Sequence, residues 1–159
     1  MRRLVVLLTV TLFNTINYGQ QTTDKKRITA TITSFFEGLH KRDSLIVANT
    51  LHPSVHIQTI FTSKEGKPTL RNKTRMDVLR MIHSKKATDI YDEKLLNFDM
   101  KIDGNLASVW TPYEFYFNKT FSHCGTNSFQ LFNDNGHWKI IYLVDTRRRR
   151  NCTTQNEKK

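Results

Sequence analysis

From Glu93 to Arg147 the chain carries four long runs with a period of two, separated by tight turns. Leu96, Phe98, Met100 and Ile102 share one apolar face, Asp103-Gly104 turns the chain, and Leu106 to Asn118 returns. Phe121 to Phe132 and His137 to Asp145 follow, joined by a loop that ends Asn135-Gly136. Four such runs in succession form an antiparallel meander, and the chain before them supplies helices enough to cover only one side. Pro112 falls inside the second run. It has no amide hydrogen for a ladder, so it predicts a bulge or bend and, with it, strong curvature. The last run is apolar on both faces, with Trp138, Ile140, Tyr142 and Val144 against Ile141 and Leu143, which predicts a central strand covered twice.

Ahead of the meander the period is helical. Ile28, Ile32, Phe35, Phe36 and Leu39 predict an amphipathic helix from about Asp24 to His40, with Asp24 as its cap. Asp43 opens a short second helix carrying Leu45, Ile46, Ala48 and Leu51, which Pro53 ends. Val55 to Thr62 and Thr69 to Lys73 form a hairpin about the turn Lys64 to Lys67. Thr74 and Asp77 make a capping box for a third helix, with Leu79 and Ile82 facing inward. The fold class is α+β: a cone-shaped roll, a strongly curved antiparallel sheet covered on its concave side by about three N-terminal helices.

Met1-Arg2-Arg3 and the apolar run Leu4 to Phe13 have the form of a secretory leader, too short for a stable membrane anchor. The expected division is a leader over 1–19, a domain over 20–147 and a basic polar tail over 148–159. A cut after Gly19 leaves Gln20 or Gln21 first and sends the chain to the periplasm or the medium, with no membrane insertion after leader removal. The formal charge is +11, which favours anionic surroundings. Its dense part, Arg147 to Arg150, lacks the interleaved aromatics or reading module of a specific nucleic-acid binder and reads as a solvated strand end. Cys124 and Cys152 are a disulfide candidate in an oxidising compartment; the competing reading makes Cys124 a free nucleophilic thiol.

Ile32-Thr33-Ser34-Phe35-Phe36-Glu37-Gly38-Leu39, the Asp43-Ser44-Leu45 helix start, Leu51-His52-Pro53 and Gly136-His137-Trp138-Lys139-Ile140 stand in this order of elements. In that respect the chain resembles the nuclear-transport-factor-2-like superfamily over about Asp24 to Arg147. Ser122-His123-Cys124-Gly125 to Phe129-Gln130-Leu131, with the ending Asp145 to Arg148, is similar to small secreted SnoaL-like and lumazine-binding-like bacterial members. The resemblance implies a pocket between the concave sheet face and the helices, where a few polar groups in an apolar cup set specificity.

Polar side chains among the strand hydrophobics are the candidates. Trp110, Tyr113, Glu114 and Tyr116 lie on the second run, His123, Asn127 and Gln130 on the third, and Asp145 ends the fourth, while His56 and Gln58 sit on the first strand. Regular pairing puts Trp110, Glu114 and Tyr116 on one face with Tyr113 opposite, and His123, Asn127 and Phe129 together opposite Cys124 and Gln130. Glu114 or Asp145, desolvated in an apolar cup, would suit a general base, with His123 or Tyr113 as donor. The structural alternative pairs both carboxylates with Lys or Arg at the rim. No motif calls for a cofactor. His52 and His56 are four apart, but Pro53 between them removes the helical geometry that a metal pair at this spacing needs.

Three functions follow. The first is an exported domain that binds a small, partly apolar molecule through His56, Gln58, Trp110, Tyr116, Asn127 and Gln130. The second is an isomerase- or dehydratase-like enzyme using a pocket carboxylate with His or Tyr. The third is an interaction module that forms a homodimer through the convex sheet face.

Overall fold

A computed structural model describes the backbone from Arg2 to Cys152 and the side chains of residues 20–152. The elements run α1 (Arg2–Lys41), α2 (Ser44–Thr50), β1 (Leu51–Thr62), β2 (Pro68–Lys73), α3 (Arg75–Ser84), β3 (Tyr91–Leu95), β4 (Asp99–Asp103), β5 (Leu106–Phe117), β6 (Thr120–Asp134) and β7 (His137–Arg147). The strands form one open sheet in the order β2-β1-β7-β6-β5-β3, with β4 also on β5. Its pairs are antiparallel except β1 with β7, which run parallel. No hairpin ties those two strands together, so nothing local enforces the antiparallel sense expected for the whole sheet. The helices lie on one face, where Ile32 and Phe36 of α1, Val47 of α2 and Ile82 of α3 close over Ile57, Val109, Phe129 and Leu143. The result is the expected cone.

Local chemistry explains the helix starts. Asp43 Oδ1 accepts from the amides of Leu45 and Ile46, at 2.9 and 3.0 Å. At α3 the Thr74 hydroxyl accepts from Asp77 N, and Asp77 Oδ2 accepts from Thr74 N, which completes the capping box. Val78 joins Ile82 as the buried pair of α3, with Leu79 at the core's edge. α1 departs from expectation: it begins before Asp24, because no proline interrupts residues 2–23. Asp24 is therefore not a cap. It is buried inside the helix and accepts from Trp138 Nε1 at 3.3 Å, pinning α1 to β7. The expected leader, residues 1–19, lies outside the residues whose side chains are described, as do tail residues 153–159. No helix among the described residues is long and apolar enough to cross a membrane.

Three expectations about the strands change. The run expected as one strand before Asp103 is two, β3 and β4, broken at Leu96 to Phe98. Pro112 does not bulge either, for the same reason. It pairs with Thr126 in register, and its carbonyl accepts from Leu96 N at 2.9 Å, so its side of β5 faces the gap where β4 hands over to β3. No ladder bond is lost there. The irregularities fall instead between Phe115 and Tyr116, between Gln130 and Leu131 and, where β1 pairs with β7, between Leu51 and His56. The second leaves Ile141 unopposed in β7, so the buried set switches from Trp138 and Ile140 to Leu143 and Asp145. β7 is central as expected, but its two apolar faces come from this switch of parity rather than from double cover.

Candidate functional site

Residues directly opposite on neighbouring strands share a face. Thr59 opposes Asp145, Asp145 opposes Asn127 and Asn127 opposes Thr111, so one polar row crosses β1, β7, β6 and β5 on the concave face. All four are buried. The row beneath it is apolar, formed by Ile57, Leu143, Phe129 and Val109. Toward the wide end stand Phe61 with Arg147, Tyr113 with Gly125, and then His123, Phe115 and Glu93.

Hydrogen bonds knit these rows together. Asp145 accepts from Thr59 Oγ1 at 2.6 Å, from Arg147 Nε at 2.7 Å and from Tyr113 Oη at 3.3 Å, and Tyr113 Oη also donates to Thr146 O at 3.0 Å. Asn127 Nδ2 donates to Glu93 Oε1 at 2.8 Å. His40 Nε2, from the end of α1, accepts from Glu93 N at 2.9 Å, which fastens β3 to the helix. Tyr113 can lie across β6 because its partner there is Gly125. A Cβ on that residue would stand 2.8 Å from Tyr113 Cε1 and 1.7 Å from Thr146 O, so no larger residue fits.

The electrostatics are uneven. Glu93 keeps some exposed surface, yet its carboxyl is surrounded by protein. Burial pushes its pKa up to about 8, reinforced by Asp145 and opposed by Asn127 and Arg147. At neutral pH Glu93 is an acid able to donate. Burial, followed by the Asp145 charge, raises the Tyr113 phenol as well, so it stays protonated. Burial and then Arg147 lower His123 to about 4, leaving a neutral ring packed edge-on to Tyr113, with centroids 5.8 Å apart. The arrangement thus sets two neutral O–H donors, an amide and a neutral imidazole around one ion-paired carboxylate.

Of the sequence candidates, Tyr113, His123, Asn127 and Asp145 come together here, and Glu114, Tyr116, Trp110 and Gln130 do not. Tyr116 Oη donates to Glu114 Oε2 at 2.9 Å on the outer face of the sheet, and Lys94 Nζ lies 4.5 Å over the Tyr116 ring. Trp110 and Gln130 are exposed. His56 and Gln58 line a separate open cleft of about 540 Å³ between β1, β2 and α3. A second cleft, of about 580 Å³, lies between α1, α2 and the β6–β7 turn at Trp138, also away from the polar row. Cys124 is bonded to Cys152 across a sequence separation of 28, so the reading as a free thiol fails. Sequence reasoning missed Glu93, Thr59 and Arg147. Thr59 alternates with Val55 and Ile57 and could have been read as inward; Glu93 carries no such signal, because in β3 it stands next to the charged residues Asp92 and Lys94. Among the described residues no three His, Cys, Asp or Glu side chains gather as a metal site.

Comparison with known proteins agrees with this architecture. A search of curated proteins finds no match. Similar solved structures include an NTF2-like protein of unknown function from Shewanella baltica, with 15% identity over 80% of this chain and 96% of that one and a TM-score of 0.59. An NTF2-like protein from Cytophaga hutchinsonii has 12% identity, coverage of 78% and 98%, and a TM-score of 0.62. A protein from Streptomyces avermitilis, described as a "putative dehydratase from the NTF2-like family", has 13% identity, coverage of 81% and 99%, and a TM-score of 0.63. At such identities the likeness is one of fold. Residues 23–144 match the family described as "Putative lumazine-binding". By that match the chain belongs to the lumazine-binding-like family of the nuclear-transport-factor-2-like superfamily.

Proposed function

We propose that this chain is an exported domain that holds one small, partly apolar molecule against the polar row at the wide end of its cone. The observation that carries the reading is the row itself. Thr59, Asp145, Asn127 and Thr111 are buried side by side over an apolar floor, with Tyr113 and Glu93 above them. Burying polar groups costs stability unless they are hydrogen-bonded, and a hydrophobic row would hold the sheet as well. A ligand that engages Glu93, Asn127 and Tyr113 supplies a reason to keep them. The family's description, which names lumazine, points to the same class of role. The leader over 1–19 and the Cys124–Cys152 bond support export to an oxidising compartment.

Native mass spectrometry of the purified protein, alone and with added lumazine, tests this. The expected result is a one-to-one small-molecule adduct that Asn127→Leu abolishes while the fold is retained. An adduct indifferent to Asn127, or none in either condition, counts against the reading. N-terminal sequencing of the exported product should begin at Gln20 or Gln21.

A second reading, acid–base catalysis on a small carbonyl compound, is favoured by one feature: an acid held neutral at Glu93 near the Asp145 carboxylate. It predicts turnover that Glu93→Gln and Asp145→Asn each abolish with binding retained.

A further inference from the structure

We infer that the molecule held at the polar row presents a carbonyl beside an N–H, the edge of a cis amide or lactam, and that Glu93 and Asn127 meet that edge as a donor–acceptor pair. This rests on the binding reading above and adds the chemical class of the ligand.

The hydrogen bonds along the row leave one pair of atoms free. Thr59 Oγ1 donates to Asp145, Tyr113 Oη to Asp145 and Thr146 O, and Thr111 Oγ1 to Asn97 O. Both oxygens of Asp145 are engaged, one by Thr59 and the other by Arg147 and Tyr113. Asn127 Nδ2 and Glu93 Oε1 are joined at 2.8 Å, which leaves Asn127 Oδ1 and Glu93 Oε2 without a partner among the described residues. Asn127 is 3% exposed, so its free acceptor sits where a hydrogen bond is stronger than in open water. Among the described residues that are not exposed, the one wholly enclosed polar side-chain atom without a partner is Arg75 Nε, so both free oxygens face open space.

The two oxygens differ in kind. Asn127 Oδ1 can only accept. Glu93 Oε1 accepts from Asn127, so a proton on the Glu93 carboxyl resides on Oε2 and makes that atom a donor. Among the described residues no Lys, Arg or His lies within ion-pair distance of this carboxyl, whereas the Asp145 carboxylate stands in the same site. Burial and that charge hold the proton up to about pH 8. A donor beside an acceptor is complementary to a carbonyl beside an N–H. A carboxylate ligand fails the pattern, since it sets an acceptor against Asn127 Oδ1 and a second negative charge near Asp145. Phe115 and His123 follow Glu93 across the sheet, half-buried with ring centroids 4.8 Å apart, and offer a flank to a flat ring.

Isoindolinone, a flat lactam, and N-methylisoindolinone share ring and carbonyl and differ in the N–H, which makes them suitable probes. NMR titration of the full chain at neutral pH should show isoindolinone moving the side-chain amide resonances of Asn127, with the N-methyl compound at least about tenfold weaker. Glu93→Gln keeps a donor in this place and should bind isoindolinone within about threefold of the wild type, whereas Glu93→Leu should weaken it about tenfold. Raising the pH through about 8 removes the Glu93 proton, so wild-type affinity should fall there while that of Glu93→Gln stays level. The other titratable and charged groups around Glu93, namely His40 of α1, Tyr113 of β5, His123 of β6 and Asp145 and Arg147 of β7, are common to both proteins, so the difference belongs to Glu93. Equal binding of the two probes at Asn127, or a wild-type affinity that stays level through that pH, would overturn the edge assignment and leave the binding reading intact. If neither probe moves Asn127 the assignment also falls, and the adduct experiment above decides the binding reading by itself. The comparison of probes on the wild type holds even if a variant fails to fold.

Discussion

Tyr113 shows how one residue joins packing to chemistry. Its ring fills the space that Gly125 leaves open, and its hydroxyl crosses to β7 to donate to Asp145 and Thr146. Tyr113→Phe keeps the ring and leaves the Thr146 carbonyl short of a donor. It should cost about 1–2 kcal/mol in urea unfolding with the sheet intact, and an unchanged midpoint would contradict the account. Glu93 sets a pH dependence. Folded, it keeps its proton to about pH 8; unfolded, it gives it up near 4.5. The folded state therefore binds more protons between those values, and stability falls as pH rises through them. His123, lowered to about 4 from 6.5, acts in the opposite sense, losing stability as pH drops from 6.5 toward 4, and Lys85, lowered to about 8 from 10.5, acts above 8. His40 is lowered in the same sense as His123, and Lys73 in the same sense as Lys85, so the Glu93 contribution is read as a difference. Across about pH 6.5 to 8 the unfolding free energy of the wild type should decline relative to that of Glu93→Gln; parallel curves would refute the assignment. Asp145, Tyr113, Asn127 and His123 were legible in the sequence as polar residues in apolar strands. Glu93 was not, because its neutral state arises from burial and then from the Asp145 charge, both brought in by other strands.

Among the elements, the most consequential addition to the sheet is the tail that follows β7. Arg148 exchanges both backbone hydrogen bonds with Cys124, at 2.9 Å each, and the Cys124–Cys152 bond closes the segment beyond it. That tie also fixes the direction in which Arg147 leaves the sheet. Closing a loop of 28 residues should stabilise by about 3–4 kcal/mol in the chain-entropy treatment. The double variant Cys124→Ala, Cys152→Ala should lose about that much in thermal or urea unfolding, and a loss near zero would show that the backbone bridge alone holds the tail. The starts of α2 and α3 were readable because Asp43, Thr74 and Asp77 act through neighbours within three residues, whereas that of α1 was not, since Asp24 lies inside the helix. The β3–β4 break and the bulge at Ile141 were not, since each depends on which strand lies alongside. Pro112 illustrates the limit: its missing donor was visible, but the gap between β4 and β3 that accommodates it was not.

At the scale of the molecule, cone, roof and superfamily followed from the order of elements, whereas the site followed only from register. The candidate site lies where Glu93, Tyr113, His123, Asn127 and Asp145 meet beside Arg147. The outer sheet face carries exposed Leu106, Trp110 and Phe132, which keep the homodimer reading open to sedimentation analysis: a concentration-dependent dimer that Trp110→Glu disrupts would establish it, and a monomer throughout would end it. The central claim is about place. It is tested most directly by intermolecular nuclear Overhauser contacts between a bound small molecule and the protein. The account predicts contacts to the rings of Tyr113, Phe115 and His123 and to the side-chain amide of Asn127. Contacts confined to Val55 and Met76, to Trp138, or to Trp110 on the outer face would contradict it.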